Sequence, residues 1–96
     1  SGSGPAYFFA FVESMVKGAV ELGLSEEVAT QLTVQTIIGA AELLATSGKS
    51  ATTLRENVTS PNGTTHAALQ AFAASDLEKI VASAMKAARD RSIELS

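Results

Sequence analysis

The sequence predicts an all-α fold of about five helices in one small domain. Three observations carry that reading. Apolar residues recur at spacings of three and four along nearly the whole chain, as on one face of a helix, and no run alternates with the period of two that a strand needs. Capping residues and Gly or Pro breakers fall between the periodic stretches at helix-sized intervals. The length, 96 residues, suits a single hydrophobic core and excludes a second domain of comparable size.

The first helix is expected after Ser1-Gly2-Ser3-Gly4-Pro5, a linker in which Ser3 caps and Pro5 occupies the first turn, where its missing N–H costs nothing. Phe8, Phe11, Val12, Met15, Val16, Ala19 and Leu22 form its apolar face; Glu13, Lys17 and Glu21 fall opposite, and Gly23 stops it. Ser25 caps a second helix that runs to about Thr46 and ends at Gly48, with Glu26 and Glu27 at the positive end of its dipole. From Thr36 to Ala45 this helix is apolar almost all round, which in a soluble protein means burial on several sides. Gly39, Ala40 and Ala41 allow another helix to approach closely.

A short third helix fits Ala51 to Val58, begun by a Thr53–Glu56 capping box or by Ser50. Thr59-Ser60-Pro61-Asn62-Gly63 then breaks the pattern with two turn dipeptides, Ser-Pro and Asn-Gly. The fourth helix runs from Thr64 to about Ala74 and is expected to bury Ala68, Leu69 and Phe72. Ser75-Asp76-Leu77-Glu78 reads as a capping box for the fifth, whose apolar stripe is Leu77, Ile80, Val81, Ala84 and Ala88.

Composition narrows the function classes. Hydrophobic residues make up 46% and charged residues 18%, with 17 alanines; soluble domains carry about 25% charge, so too little is present to cover a small monomer. Ten acidic against seven basic residues, net charge −3, without a basic cluster, argue against a nucleic-acid partner. The lack of cysteine excludes disulfides and thiolate metal sites, and one histidine without converging carboxylates argues against a transition-metal site. The longest unbroken apolar run, Pro5 to Val12, falls short of the roughly 20 residues of a membrane span, so a soluble chain without a membrane partner is expected. No charged leader marks a secretory signal, and a start at Ser1 instead of Met suggests part of a longer protein.

One stretch has the physics of a site, Val58 to Thr65. Asn62 and Gly63 tolerate positive φ, and a turn that ends where a helix begins aims unpaired N–H groups outward. Such a turn suits a carboxylate or phosphate, held by N–H groups of Gly63, Thr64 and Thr65 with hydroxyls from Ser60, Thr64 and Thr65 to orient it. The same residues also make an ordinary interhelical turn with Thr caps. His66, the one imidazole, lacks a Ser-His-Asp or Cys-His partner and reads as a solvent-facing helix residue. Phe8, Phe9 and Phe11 at helix spacing read as core, and Glu13, Glu21, Glu42 and Glu56 as surface. The opening Gly-Ser stretch has neither the preceding strand nor the three set glycines of a dinucleotide fingerprint, so no cofactor site is expected on this chain.

Two motifs, Ser1 through Phe9 and Leu54 through Thr65 with its continuation to Ala68-Leu69, resemble those of a known family, the pyrroline-5-carboxylate reductases. Ser1-Gly2-Ser3-Gly4-Pro5-Ala6-Tyr7-Phe8-Phe9 is similar to the family's passage from cofactor domain into the first long C-terminal helix. Leu54 through Thr65, continuing to Ala68-Leu69, resembles its signature, and Gly23-Leu24, Gln35-Thr36 and Gly39-Ala40-Ala41 fit at compatible spacing. Asn62 departs from it, standing where the family commonly has Gly.

The resemblance implies that residues 1–96 are a helical C-terminal dimerisation and substrate-binding domain. Its fold would be an interlocked helical dimer of the 6-phosphogluconate-dehydrogenase C-terminal-domain-like type, with the N-terminal Rossmann domain outside this chain. It implies reduction of 1-pyrroline-5-carboxylate to L-proline with NADPH or NADH, the cofactor held mainly by that other domain and the fragment alone inactive. A cytoplasmic homodimer is expected, with decamers in several members. By the same resemblance Ser60 and the N–H groups of Gly63, Thr64 and Thr65 bind the substrate carboxylate. The Thr65 hydroxyl serves as the catalytic contact to the ring nitrogen, by hydrogen bonding and orientation. The alternative is a purely structural helical dimerisation module that retains the turn.

Overall fold

The computed structural model describes residues 2–96, so Ser1, the first residue of the expected linker, lies outside the described residues. Five helices and no strand are present among the described residues: α1 (Gly4–Glu21), α2 (Glu26–Thr46), α3 (Ala51–Asn57), α4 (Thr64–Ala74) and α5 (Leu77–Leu95). They fall into two units, Ser1–Ala51 and Thr52–Ser96.

The first unit is an α1–α2 hairpin. Gly23 takes φ +111° after the last turn of α1, which only glycine adopts without strain. The chain closes there with a Schellman pair, the Gly23 N–H donating to Val20 O at 3.0 Å and the Leu24 N–H to Ala19 O at 3.1 Å. Ser25 then opens α2 by accepting from the Val28 N–H at 3.2 Å, with Glu26 and Glu27 in the first turn. Ser3 stands at the α1 N-cap, but its side chain caps nothing. Its backbone is already helical, at φ −80° and ψ −21°, and not in the extended conformation that turns an N-cap hydroxyl towards the N–H groups of the first turn.

Burial in the hairpin is confined to a narrow seam. Ala29 and Thr33, one turn apart on α2, are 1% and 6% exposed; Ile37 extends the stripe half-buried, as do Val12, Val16 and Ala19 on α1. The rest of the expected apolar face is open: Phe8, Phe9 and Leu22 are 62%, 68% and 89% exposed, and Phe11 and Met15 are exposed as well. Two helices shield each other along one line only, so the phenylalanines expected as core have no core within this unit. A Cβ built at Gly39 meets nothing within 4 Å, so the close approach offered there is not taken up inside the chain.

The average composition of α2 is more apolar than its unbroken runs suggest, as is also found in the core helices of soluble proteins. Over 21 residues it is long and apolar enough, by length and composition alone, to cross a membrane. Its Thr, Gln and Gly residues interrupt every run but barely lower the average. Two of those threonines are also less polar than they read, because Thr36 and Thr46 donate their hydroxyls to Leu32 O and Glu42 O, one turn back, at 2.7 and 2.8 Å.

In the second unit, α3 ends at Asn57, one residue before the expected end. Because α3 begins at Ala51, Ser50 stands immediately before it and Thr53 lies inside its first turn, where it cannot act as the N-cap of a box. α4 has the expected bounds and packs on α5, yet only Leu69 of its three expected core residues is half-buried; Ala68 and Phe72 are exposed. On α5 the stripe is open too: Leu77, Ile80 and Val81 are exposed, and only Ala88 is half-buried.

The capping box expected at Ser75-Asp76-Leu77-Glu78 does not form. α4 and α5 are joined by Ser75 and Asp76 alone, and Ser75 serves as the C-cap of α4, its N–H donating to Ala71 O and Phe72 O, both at 3.2 Å. Asp76 stands at the α5 N-cap in the left-handed region, φ 59° and ψ 48°, without a side-chain cap bond. That conformation reverses the chain in two residues, and aspartate is among the few non-glycine types that enter it readily.

Candidate functional site

The turn between α3 and α4 is built within the second unit. Ser60 O accepts from the Gly63 N–H at 3.1 Å, closing a β-turn with Pro61 and Asn62 at its centre. Asn62 has φ 58°. Proline followed by a residue at positive φ is the type II pattern, so the expected tolerance of Asn62 for that region is used. Gly63 is not in that region: at φ −87° and ψ −173° it is the extended N-cap of α4.

This arrangement corrects one expected donor. The Gly63 N–H is engaged inside the turn and does not point outward for an anion. Its carbonyl accepts from Ala67 at 3.1 Å, which starts the helical ladder, and no side chain caps the helix. The N–H groups of Thr64, Thr65 and His66 are therefore left without a carbonyl or capping acceptor. Three adjacent donors at the positive end of a helix dipole favour an anion, the dipole adding about 0.3–1 kcal/mol. A Cβ at Gly63 would lie 3.4 Å from both Ser60 Cβ and Ser60 O, an ordinary contact distance, so the turn itself does not require glycine there.

Ser60 and Thr64 are exposed and Thr65 is half-buried, and among the described residues their hydroxyls make no hydrogen bond. His66 is half-buried instead of solvent-facing. It is the third residue of α4, where helix side chains lean towards the N-terminus. Among the described residues its imidazole has no hydrogen-bond partner.

Sequence reasoning missed two contributors. The His66 N–H was outside the expected donor set, although the position of the first ladder bond determines it. Thr59, expected only as a breaker, is half-buried and donates its hydroxyl to Arg55 O at 2.6 Å. A threonine four residues after a residue near the end of a short helix is the available signal. No group of three or more His, Cys, Asp or Glu suited to a metal exists among the described residues.

The fold and turn define a class of protein: an all-helical domain whose apolar faces are left for another polypeptide to cover and whose α4 opens on unsatisfied donors. The chain belongs to the pyrroline-5-carboxylate reductase dimerisation family, whose model matches residues 1–95. It is 49% identical over its whole length to a pyrroline-5-carboxylate reductase of Pseudomonas aeruginosa, spanning 35% of that protein. With the Bacillus subtilis pyrroline-5-carboxylate reductase 1 it shares 43% identity, again over its whole length and 32% of the relative. It therefore spans about a third of the length of the curated relatives it matches. Among solved structures, the reductase of Coxiella burnetii superposes with a TM-score of 0.96 at 43% identity, covering 100% of this chain and 36% of that one. The Plasmodium falciparum enzyme, solved with NADP bound, gives 0.92 at 36% identity over 96% of this chain and 37% of that one.

Proposed function

We propose that this chain is the C-terminal, dimer-forming and substrate-binding domain of a pyrroline-5-carboxylate reductase, which reduces 1-pyrroline-5-carboxylate to L-proline with NADPH or NADH in proline biosynthesis. The observation that carries the reading is the start of α4, where unsatisfied N–H groups stand beside the free Thr65 hydroxyl in a chain of this family. The N–H groups of Thr64 and Thr65 hold the substrate carboxylate, Ser60 supplies a hydroxyl nearby, and Gly63 is the N-cap of the helix that presents them. The Thr65 hydroxyl bonds to the ring nitrogen and orients the imine carbon. The nicotinamide, held on another domain, supplies the hydride when bound. The hydride adds to the imine carbon and the C=N electron pair moves to nitrogen, whose proton arrives with the substrate or from water, because a threonine hydroxyl is a poor acid at neutral pH. Rate enhancement on this side of the site comes from orientation. The protein works as a cytoplasmic homodimer.

Steady-state kinetics on the full-length enzyme test the assignment. Thr65→Ala leaves the ring nitrogen without its oriented bond, a loss of ~1.5–3 kcal/mol or about ten- to a hundredfold in kcat/KM. Thr65→Ser retains most activity, and His66→Ala changes little because its ring has no partner among the described residues. Equal losses for the two alanine variants, or a loss at His66 alone, refute this use of the turn.

A further inference from the structure

We propose that Thr59 is a positioning residue for the substrate turn, acting through the backbone of α3 and not by contact with the ligand; the proposal rests on the reading of the turn given above. Thr59 sits immediately before Ser60, the residue whose carbonyl closes the turn. Its hydroxyl donates to Arg55 O at 2.6 Å and its N–H to Glu56 O at 3.1 Å. The Val58 N–H adds a longer bond to Arg55 O at 3.3 Å. Thr59 thus supplies two of the three bonds that fasten the exit of α3 onto its own last turn, and one of them is through the side chain.

The latch is local to the α3 side of the turn. Arg55, whose carbonyl accepts the hydroxyl, lies in the last turn of α3, and α3 does not pack on α4, so the Thr59 bonds act on the direction of the chain entering Ser60 from that side alone.

Removing the hydroxyl leaves the Arg55 carbonyl its weaker Val58 bond and lets the entry to the turn wander. The fraction of molecules with a competent turn falls, and apparent affinity falls by that same fraction. Saturating substrate re-selects the competent turn, so turnover at saturation is largely preserved. A latch of this kind shifts KM and spares kcat, whereas a contact made to the reacting ring, as at Thr65, lowers kcat/KM and is not recovered by saturation.

The test uses the full-length enzyme with pyrroline-5-carboxylate as varied substrate and L-proline as product inhibitor. Thr59→Val, which keeps the shape and removes the hydroxyl, is expected to raise KM and the proline inhibition constant together by about three- to tenfold, the worth of one net hydrogen bond. Its kcat stays within about twofold, and Thr59→Ser restores both constants. Unchanged constants in Thr59→Val alongside a large loss in Thr65→Ala overturn the latch and leave the reading of the turn standing. No effect from either variant overturns the reading itself. A fall in kcat that Thr59→Ser does not restore also overturns the latch. Thr59→Ala carries the test if the valine chain does not fold, and failure of both to fold makes the hydroxyl a general folding bond and refutes positioning.

Discussion

Replacing Ile38 with Asp should take the isolated chain from a folded dimer to a largely unfolded monomer. On α2, Leu32, Val34, Ile38, Leu43 and Leu44 are each 40% to 55% exposed. Fully burying such a side chain is worth about 1.5–3 kcal/mol, so covering the open half yields about 1 kcal/mol each. Five positions on two copies give about 10 kcal/mol, close to the ~4–15 kcal/mol that association costs, and the open Phe8 and Phe9 of α1 add about 2–3 kcal/mol per copy. Ile38→Asp forfeits its share and buries an unpaired carboxylate at several kcal/mol, once per copy and so twice in a symmetric dimer. A combined loss beyond ~6 kcal/mol weakens association by more than about ten-thousandfold. Sedimentation equilibrium at micromolar concentration, with far-ultraviolet circular dichroism on the same samples, reads the outcome: a helical dimer for the parent and Ile38→Val, a poorly helical monomer for Ile38→Asp. A stable, helical monomer of the parent chain, or an undisturbed dimer of Ile38→Asp, refutes the argument.

Two further outcomes follow from local structure. The chain alone should show no micromolar affinity for NADPH by calorimetry, since no strand leads into a Gly-rich helix start among its described residues; such affinity would place cofactor binding where this division of labour does not. Ser25→Ala removes the acceptor of the Val28 N–H and should lower stability by about 1 kcal/mol, a fall of several degrees in melting temperature that Ser25→Asp reverses.

Helix positions were legible because their signals are local. Ser25 and Gly23 act within a few residues of themselves, and each does in the fold what its residue type does in any chain. The core was legible only as an amount. Sequence patterning identified the apolar positions of α1 and of the second half of α2, but of these only Val12, Val16, Ala19 and Ile37 find cover within the hairpin, and the two buried residues, Ala29 and Thr33, lie outside the stretches it singled out. Periodicity shows that a face is apolar, not which polypeptide covers it. The failed box at Ser75 has a similar origin: one residue cannot close α4 and open α5 at once, and the two-residue spacing that forces the choice shows only when both helix bounds are fixed. At the candidate site the residue types were legible and the direction of one N–H was not. Gly63 reads equally as an outward donor or as the end of a type II turn until the Ser60 carbonyl is placed.

On the proposed reading, the construction of that turn lets so few residues grip a small carboxylate. A flexible loop would lose conformational freedom on binding, at about 1–2 kcal/mol per residue fixed, which would consume most of what two or three N–H bonds return. Here the freedom is removed during folding. Pro61 fixes φ, the Gly63–Ser60 bond closes the ring, and the Thr59 hydroxyl ties the entry to α3. Asn62 in the left-handed region costs about 1 kcal/mol, which the proline offsets in part by about 0.4–1 kcal/mol through the unfolded chain. Those costs are met in forming the turn, so on the proposed reading the donors of α4 meet an anion already aligned. Glycine at position 62 would relieve the strain but return freedom to the unfolded chain, so the asparagine is compatible with a turn that is rigid when empty.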